Sequence, residues 1–382
     1  MISYGRQTVE RDDILAVVDV LRSDWMTQGP SVMHFEKALA QYCKVKYAVA
    51  VSSGTAALHL AVLAAGVKCG DEVITTPISF AATSNAILYA QATPRFADVV
   101  PQTINIDPSK IKELITKKTK GIIPVHFSGL PAQMKEISGI ARKNGLFVIE
   151  DGCHALGAKY REGKEWAKVG SCRHSDMCIF SFHPVKHITT GEGGAITTND
   201  EKLYRKLLAL RSHGIYRDEK TAEIGPWYYE MRDLGFNYRI TDFQCALGVT
   251  QLKKLDRFIK RRREIVSQYQ EAFKDHEFFT VPQEPDGYSS AWHLFTICLR
   301  ERYQKSRKDV FMKLRESGLG VQVHYIPIYW QPYYEGLGYP RGLCPAAESF
   351  YRGEISLPVY PLLKDAQVNS VIKKINKALK DL

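Results

Sequence analysis

The strongest constraint on the fold is an alternation that runs through the first two thirds of the chain. Short apolar runs are separated by stretches with helical periodicity. The runs Tyr47 to Val51, Glu72 to Thr76, Pro94 to Asp98, Gly121 to Val125, Leu146 to Glu150, Met177 to Phe182 and Gly194 to Thr198 predict strands. Thr55 to Gly66, Ala81 to Ala90, and segments from about Ala132 and Glu201 predict helices. Strands that alternate with helices cannot pair as hairpins. They form an α/β layer, a mostly parallel sheet covered on both faces, whose ligands sit at the carboxyl ends of the strands. From about Thr241 the pattern changes to one long helix through Phe243, Leu247, Leu252, Leu255, Phe258 and Ile259. A smaller α+β section follows: a strand from Trp292 to Leu299, a helix from Arg307 to Ser317, a strand from Val321 to Tyr325 and a helix from Ala366. The expected division is a large domain over 1–250 and a small one over 251–382.

Composition narrows the function. With 52 basic and 41 acidic residues the chain carries a net charge of +11. The densest basic run, Lys260-Arg261-Arg262-Arg263, falls in the long helical pattern and predicts a solvated helix face. No nucleic-acid module and no basic stretch interleaved with aromatics is present, so small anionic ligands suit the charge better than nucleic acid. No apolar run approaches the roughly 20 residues of a membrane span, and no signal core precedes Glu10-Arg11-Asp12-Asp13, which predicts a cytoplasmic protein without a membrane partner. The eight cysteines contain no Cys-x-x-Cys pair, so free thiols and no metal are expected.

Three strand ends carry polar residues. After the first strand, Ser52-Ser53-Gly54-Thr55 opens a helix. Backbone N–H groups at a helix start, with hydroxyls and the helix dipole, suit a phosphate, although the same residues also serve as a plain N-cap. The strand Phe147-Val148-Ile149-Glu150 runs into Asp151, a carboxylate that can hold a cationic ring nitrogen or cap a loop. The strand ending at Ser181 leads through His183 to Lys186. Thr189-Thr190-Gly191-Glu192-Gly193-Gly194 follows and enters a strand rather than a helix, which disfavours a dinucleotide loop. Together the three ends supply a phosphate cradle, a pyridinium partner and an amine able to attack a carbonyl. These are the parts needed to hold pyridoxal 5′-phosphate (PLP).

With these motifs the sequence resembles the DegT/DnrJ/EryC1/StrS sugar aminotransferases. The matching strings are Thr27-Gln28-Gly29-Pro30, Ser53-Gly54-Thr55-Ala56-Ala57-Leu58, Glu150-Asp151 with His154, and Phe180-Ser181-Phe182-His183 with Lys186. Gly235-Phe236-Asn237-Tyr238-Arg239 and Thr241-Asp242-Phe243-Gln244 extend the match. The resemblance implies the type I aminotransferase fold, with a large seven-stranded sheet domain and a smaller C-terminal domain. It implies that Lys186 is catalytic and forms an imine with the cofactor, that Asp151 pairs with the pyridine nitrogen, and that His154 lies by the ring's oxygen edge. Phe80 would stack on the ring, while Ser53, Gly54, Thr55 and Ser181 would hold the phosphate. Asn237 would reach the phosphate of a neighbouring subunit, which implies a homodimer with shared sites. Sugar-nucleotide contacts are implied for Tyr4, Trp25, Met26, Thr27, His183, Arg239, His324, Tyr325 and Tyr329.

Further strings, among them Thr75-Thr76-Pro77-Ile78-Ser79-Phe80 and Gln322-Val323-His324-Tyr325, are similar to the branch of the family that serves pseudaminic acid synthesis. That branch implies a UDP-4-keto sugar as amino acceptor, UDP-2-acetamido-2,6-dideoxy-β-L-arabino-hexos-4-ulose, and L-glutamate as donor. The alternatives are another nucleotide keto sugar, such as the UDP-bacillosamine precursor, or a PLP-binding regulator without turnover. The family's dehydratases carry histidine at the anchoring position, where this chain has Lys186.

Overall fold

The computed structural model describes residues 1–380. Its centre is a seven-stranded sheet. In chain order the strands are β1 (Tyr47–Val51), β2 (Glu72–Thr75), β3 (Thr93–Phe96), β4 (Thr119–Ile123), β5 (Phe147–Asp151), β8 (Met177–Ser181) and β9 (Gly194–Thr198), with β6 (Lys159–Glu162) and β7 (Glu165–Lys168) forming a hairpin outside it. The spatial order is β1-β9-β8-β5-β4-β2-β3. Only β9 runs against its neighbours, so the sheet is mostly parallel and the α/β fold expected from the alternation is the one observed.

The local sequence explains the layers. β1 reads Tyr-Ala-Val-Ala-Val and stands at the edge of the sheet, yet it is buried on both faces, because Val49 and Val51 pack into one core and Ala48 and Ala50 into the other. Helix α1 (Arg11–Leu21) and helix α2 (Pro30–Cys43) precede it, and helix α3 (Gly54–Ala64) follows. α3 is apolar nearly all round, because it packs between the sheet and helix α4 (Ala82–Tyr89). β1, β5 and β8 point the same way, so Val51, Asp151 and Ser181 end on one edge of the sheet. β9 begins at that edge, where Gly194 pairs with both Val51 and Ser181.

The long helix, Asp242–Ala272, starts at a capping box in which the Thr241 N–H donates to Gln244 Oε1 at 3.1 Å. Cys245, Leu252, Leu255 and Phe258 pack into the core under β1 and β8. Ile265, Val266, Tyr269 and Phe273 pack into the C-terminal core around the strands Phe295–Leu299 and Glu354–Leu357. Residue 250 therefore lies inside one continuous helix, and the change of core comes between Phe258 and Ile265.

Two expected features differ. Val321 to Tyr325 is not a strand: Gln322 makes a single bridge to Ser356, and the His324 N–H is taken by the Glu354 side chain. The basic run on the long helix is not wholly solvated either. Arg262 is 1% exposed, and its Nη1 donates to the carbonyls of Trp292, His293 and Val359. The eight cysteines are free thiols, five of them buried.

Candidate active site

The carboxyl edge of the sheet opens into a cavity of about 430 Å3. At one end is the start of α3. Ser53 caps it, with its Oγ accepting the Ala56 N–H at 3.0 Å. Gly54 lies so close to β8 that a Cβ there would stand 2.9 Å from Ser181 Cβ. The glycine is needed for this close approach, and it leaves the N–H groups of the helix start open beside the Ser53, Thr55 and Ser181 side chains.

Asp151 ends β5 and is buried. Its Oδ2 accepts from Thr83 Oγ1 at 2.7 Å and its Oδ1 accepts the Cys153 N–H at 3.1 Å. Thr83 in turn lies 2.7 Å from Ser79 Oγ, so a hydroxyl pair at the start of α4 fixes the carboxylate. Each Asp151 oxygen keeps a lone pair for a further donor. No motif marks the role of Thr83 or Ser79, although Ser79 belongs to Thr75-Thr76-Pro77-Ile78-Ser79-Phe80, a few residues upstream of Thr83.

Lys186 comes from the turn after β8, closed by its N–H to the His183 carbonyl at 2.9 Å. Among the described residues its Nζ makes no hydrogen bond or ion pair, and it lines the cavity. Burial lowers its pKa, opposed by the nearby Cys153 and Asp151. This is how an amine is made a nucleophile near neutral pH. Between these groups stands His154, whose Nε2 lies 3.2 Å from the Tyr325 hydroxyl and whose ring is parallel to the tyrosine's at 6.0 Å. Burial, then Lys186, His324 and His187, hold His154 well below the ordinary imidazole range. Burial also pushes His324 down to about 4.

Of the expected site residues, the cavity wall collects Tyr4, Ser53, Gly54, Thr55, Phe80, Asp151, His154, Ser181, His183, Lys186, His324 and Tyr325. Phe80 is largely exposed at its rim, and the Tyr4 ring sits 5.4 Å from that of His324. Trp25, Met26, Thr27, Asn237 and Arg239 are not in this wall. Trp25, Met26, Thr27 and Asn237 are exposed on the same chain's surface. Tyr329 is fully buried beside Phe96, and its hydroxyl donates to Glu348 at 2.8 Å. A side chain without exposed surface and with a committed hydroxyl does not offer a contact to a sugar nucleotide.

A phosphate cradle that a Cβ would fill, a carboxylate with spare lone pairs and an unpaired amine fit PLP and define the site of a pyridoxal-phosphate enzyme. The chain belongs to the DegT/DnrJ/EryC1/StrS aminotransferase family, whose pattern it matches over residues 7–376, and is a PLP-dependent sugar aminotransferase. The UDP-4-amino-4,6-dideoxy-N-acetyl-beta-L-altrosamine transaminase of Campylobacter jejuni (serotype O:23/36) is 40% identical, over 99% of this chain and 99% of its own. Helicobacter pylori PseC, an aminotransferase involved in the biosynthesis of pseudoaminic acid, superposes with a TM-score of 0.92 at 33% identity, covering 100% of both chains. Spr1654 of Streptococcus pneumoniae, solved in a PLP form, gives a TM-score of 0.91 at 28% identity over 99% of this chain and 100% of its own.

Proposed function

We propose that the enzyme aminates C4 of UDP-2-acetamido-2,6-dideoxy-β-L-arabino-hexos-4-ulose, with L-glutamate as donor, to give UDP-4-amino-4,6-dideoxy-N-acetyl-β-L-altrosamine on the route to pseudaminic acid. The reaction class rests on one observation, the meeting of the α3 start, Asp151 and Lys186 at one sheet edge. The sugar rests on the likeness to the Campylobacter altrosamine transaminase and to Helicobacter PseC.

When bound, PLP supplies an electron sink for the carbon–nitrogen chemistry. The chain's residues do the rest. Lys186 Nζ would hold the cofactor and, as a free amine, would serve as the acid and base that moves the reaction's proton. Asp151, fixed by Thr83 and the Cys153 N–H, accepts from the ring nitrogen and keeps it protonated. Ser53, Thr55 and Ser181 hold the phosphate with the N–H groups of α3. Phe80 would cover the ring, and His154, bonded to Tyr325, would lie by its oxygen edge. Tyr4, His183, His324 and Tyr325 form the sugar side of the cavity. Trp25, Met26, Thr27, Asn237 and Arg239 serve the cavity of a second copy in a homodimer, which accounts for their place outside their own. The work is cytoplasmic.

The test is an incubation of the enzyme with PLP, L-glutamate and each 4-keto UDP-sugar epimer series, with products identified by NMR. The L-series amino sugar supports the proposal. Product from the D-series ketone alone removes the pseudaminic reading and leaves the aminotransferase.

A further inference from the structure

Behind the cavity three histidines form a buried row. The rings of His154 and His293 have centroids 4.5 Å apart, and those of His293 and His187 are 5.5 Å apart. His187 Nε2 lies 3.1 Å from the Ala291 carbonyl. A carbonyl only accepts, so Nε2 carries the proton and Nδ1 is a bare lone pair. The Nδ1 atoms of all three rings are buried with no hydrogen-bond partner among the described residues. His293 is clamped through its backbone: its N–H donates to Ser128 at 2.8 Å and its carbonyl accepts from Arg262 at 3.3 Å.

The charges facing this row have one sign. Arg262 reaches it from the long helix, without an acidic partner among the described residues, its Nη1 committed to three carbonyls. Lys186 faces it from the turn after β8. His324 and Tyr325 close the cavity side. No carboxylate hydrogen-bonds to any of the three rings among the described residues. Asp151 is engaged by Thr83 and the Cys153 N–H and faces Lys186, and Glu354 is engaged by the His324 N–H.

We propose that His154, His293 and His187, backed by Arg262, form a proton-excluding wall that confines the mobile proton of the reaction to Lys186. The proposal rests on Lys186 being the proton-moving group. A proton placed on any ring of the row would create a desolvated cation facing another cation, with no anion to offset it. Burial and these same neighbours hold all three imidazoles well below their ordinary range. His154 thus works as a neutral imidazole bonded to Tyr325, although it borders the cavity. His293 and Arg262 are positioning residues, since neither lines the cavity.

The experiment is 15N NMR of histidine-labelled full-length protein without cofactor, titrated from pH 8.5 to 5, with signals assigned by single substitutions. His154, His187 and His293 are expected to stay neutral throughout, His187 as the Nε2–H tautomer. In Arg262→Gln, whose amide still donates to carbonyls, His187 or His293 is expected to begin titrating within that range. The acid limb of kcat in the PLP-loaded variant should then shift to higher pH. Ordinary titration of any of the three in the unsubstituted protein overturns the proposal, whether or not the variant folds. A folded Arg262→Gln protein whose histidines stay neutral overturns the part assigned to Arg262. If borohydride instead fixes PLP to a lysine other than Lys186, the role of Lys186 fails while the neutrality of the row still stands on its own data.

Discussion

Glu354→Gln isolates a buried proton whose energetic effect can be worked out. Glu354 is fully buried, accepts the His324 N–H at 2.7 Å and also accepts from Ser356. Burial raises its carboxyl from 4.5 to about 8, against the opposing effect of Ser356, the His324 N–H and Arg307. Between those values the folded chain holds a proton that the unfolded chain has lost. Stability from this group is therefore fully present below 4.5 and is lost as pH rises through about 8, at about 1.4 kcal/mol per unit. His324 acts in the opposite direction. Its folded value of about 4 lies below 6.5, so its contribution is lost as pH falls from 6.5 toward 4. The two slopes oppose each other at acid pH, and Glu354 stands alone over the roughly 1.5 units from 6.5 to 8, where it changes stability by about 2 kcal/mol. Gln keeps an acceptor for the His324 N–H and binds no titrating proton. Urea unfolding of both cofactor-free proteins across that window cancels the other titrating groups in the difference. The stability of the original protein relative to the variant should fall by about 2 kcal/mol between pH 6.5 and 8. A difference independent of pH would refute the reasoning.

Other substitutions test the rest of the frame. Gly54→Ala should weaken PLP binding about tenfold, near 1.4 kcal/mol, and also lower the stability of the cofactor-free protein by about 1–3 kcal/mol, because its Cβ meets Ser181; spectrophotometric PLP titration and urea unfolding measure the two effects. Asp151→Asn should lower kcat by roughly 10- to 100-fold through loss of a charge-assisted bond of about 1.5–3 kcal/mol, with Thr83 still paired; steady-state kinetics decide. Gly248→Ala brings a Cβ to 2.8 Å from the buried Phe35 ring. The overpacking of about 1–3 kcal/mol should outweigh the roughly 1 kcal/mol gained in helix propensity, giving a net loss of stability in urea.

The sheet was legible because most of its strands carry short apolar runs bounded by turn residues, as in Tyr47–Val51, Phe147–Asp151 and Met177–Ser181. The hairpin of β6 and β7 was not, because Lys159-Tyr-Arg-Glu and Glu165-Trp-Ala-Lys alternate polar residues on an exposed ribbon. Val321 to Tyr325 looks like a strand by composition, yet a buried glutamate takes the His324 N–H that would have extended the ladder. In the site, Lys186, Asp151 and Ser53 could be read because each ends or follows a strand of one sheet. The groups that hold them could not: Thr83 is an ordinary helical threonine in sequence, and His293 has no neighbour in the chain that marks it. Arg262 sits in a run of four basic residues, and only tertiary packing separates the one that turns inward.

The most direct measurement is borohydride reduction of the PLP-loaded enzyme followed by peptide mass mapping. The account predicts one stable pyridoxyl adduct, on Lys186, and neither adduct nor turnover in Lys186→Ala. An adduct on another lysine, or turnover by the alanine variant, would contradict it.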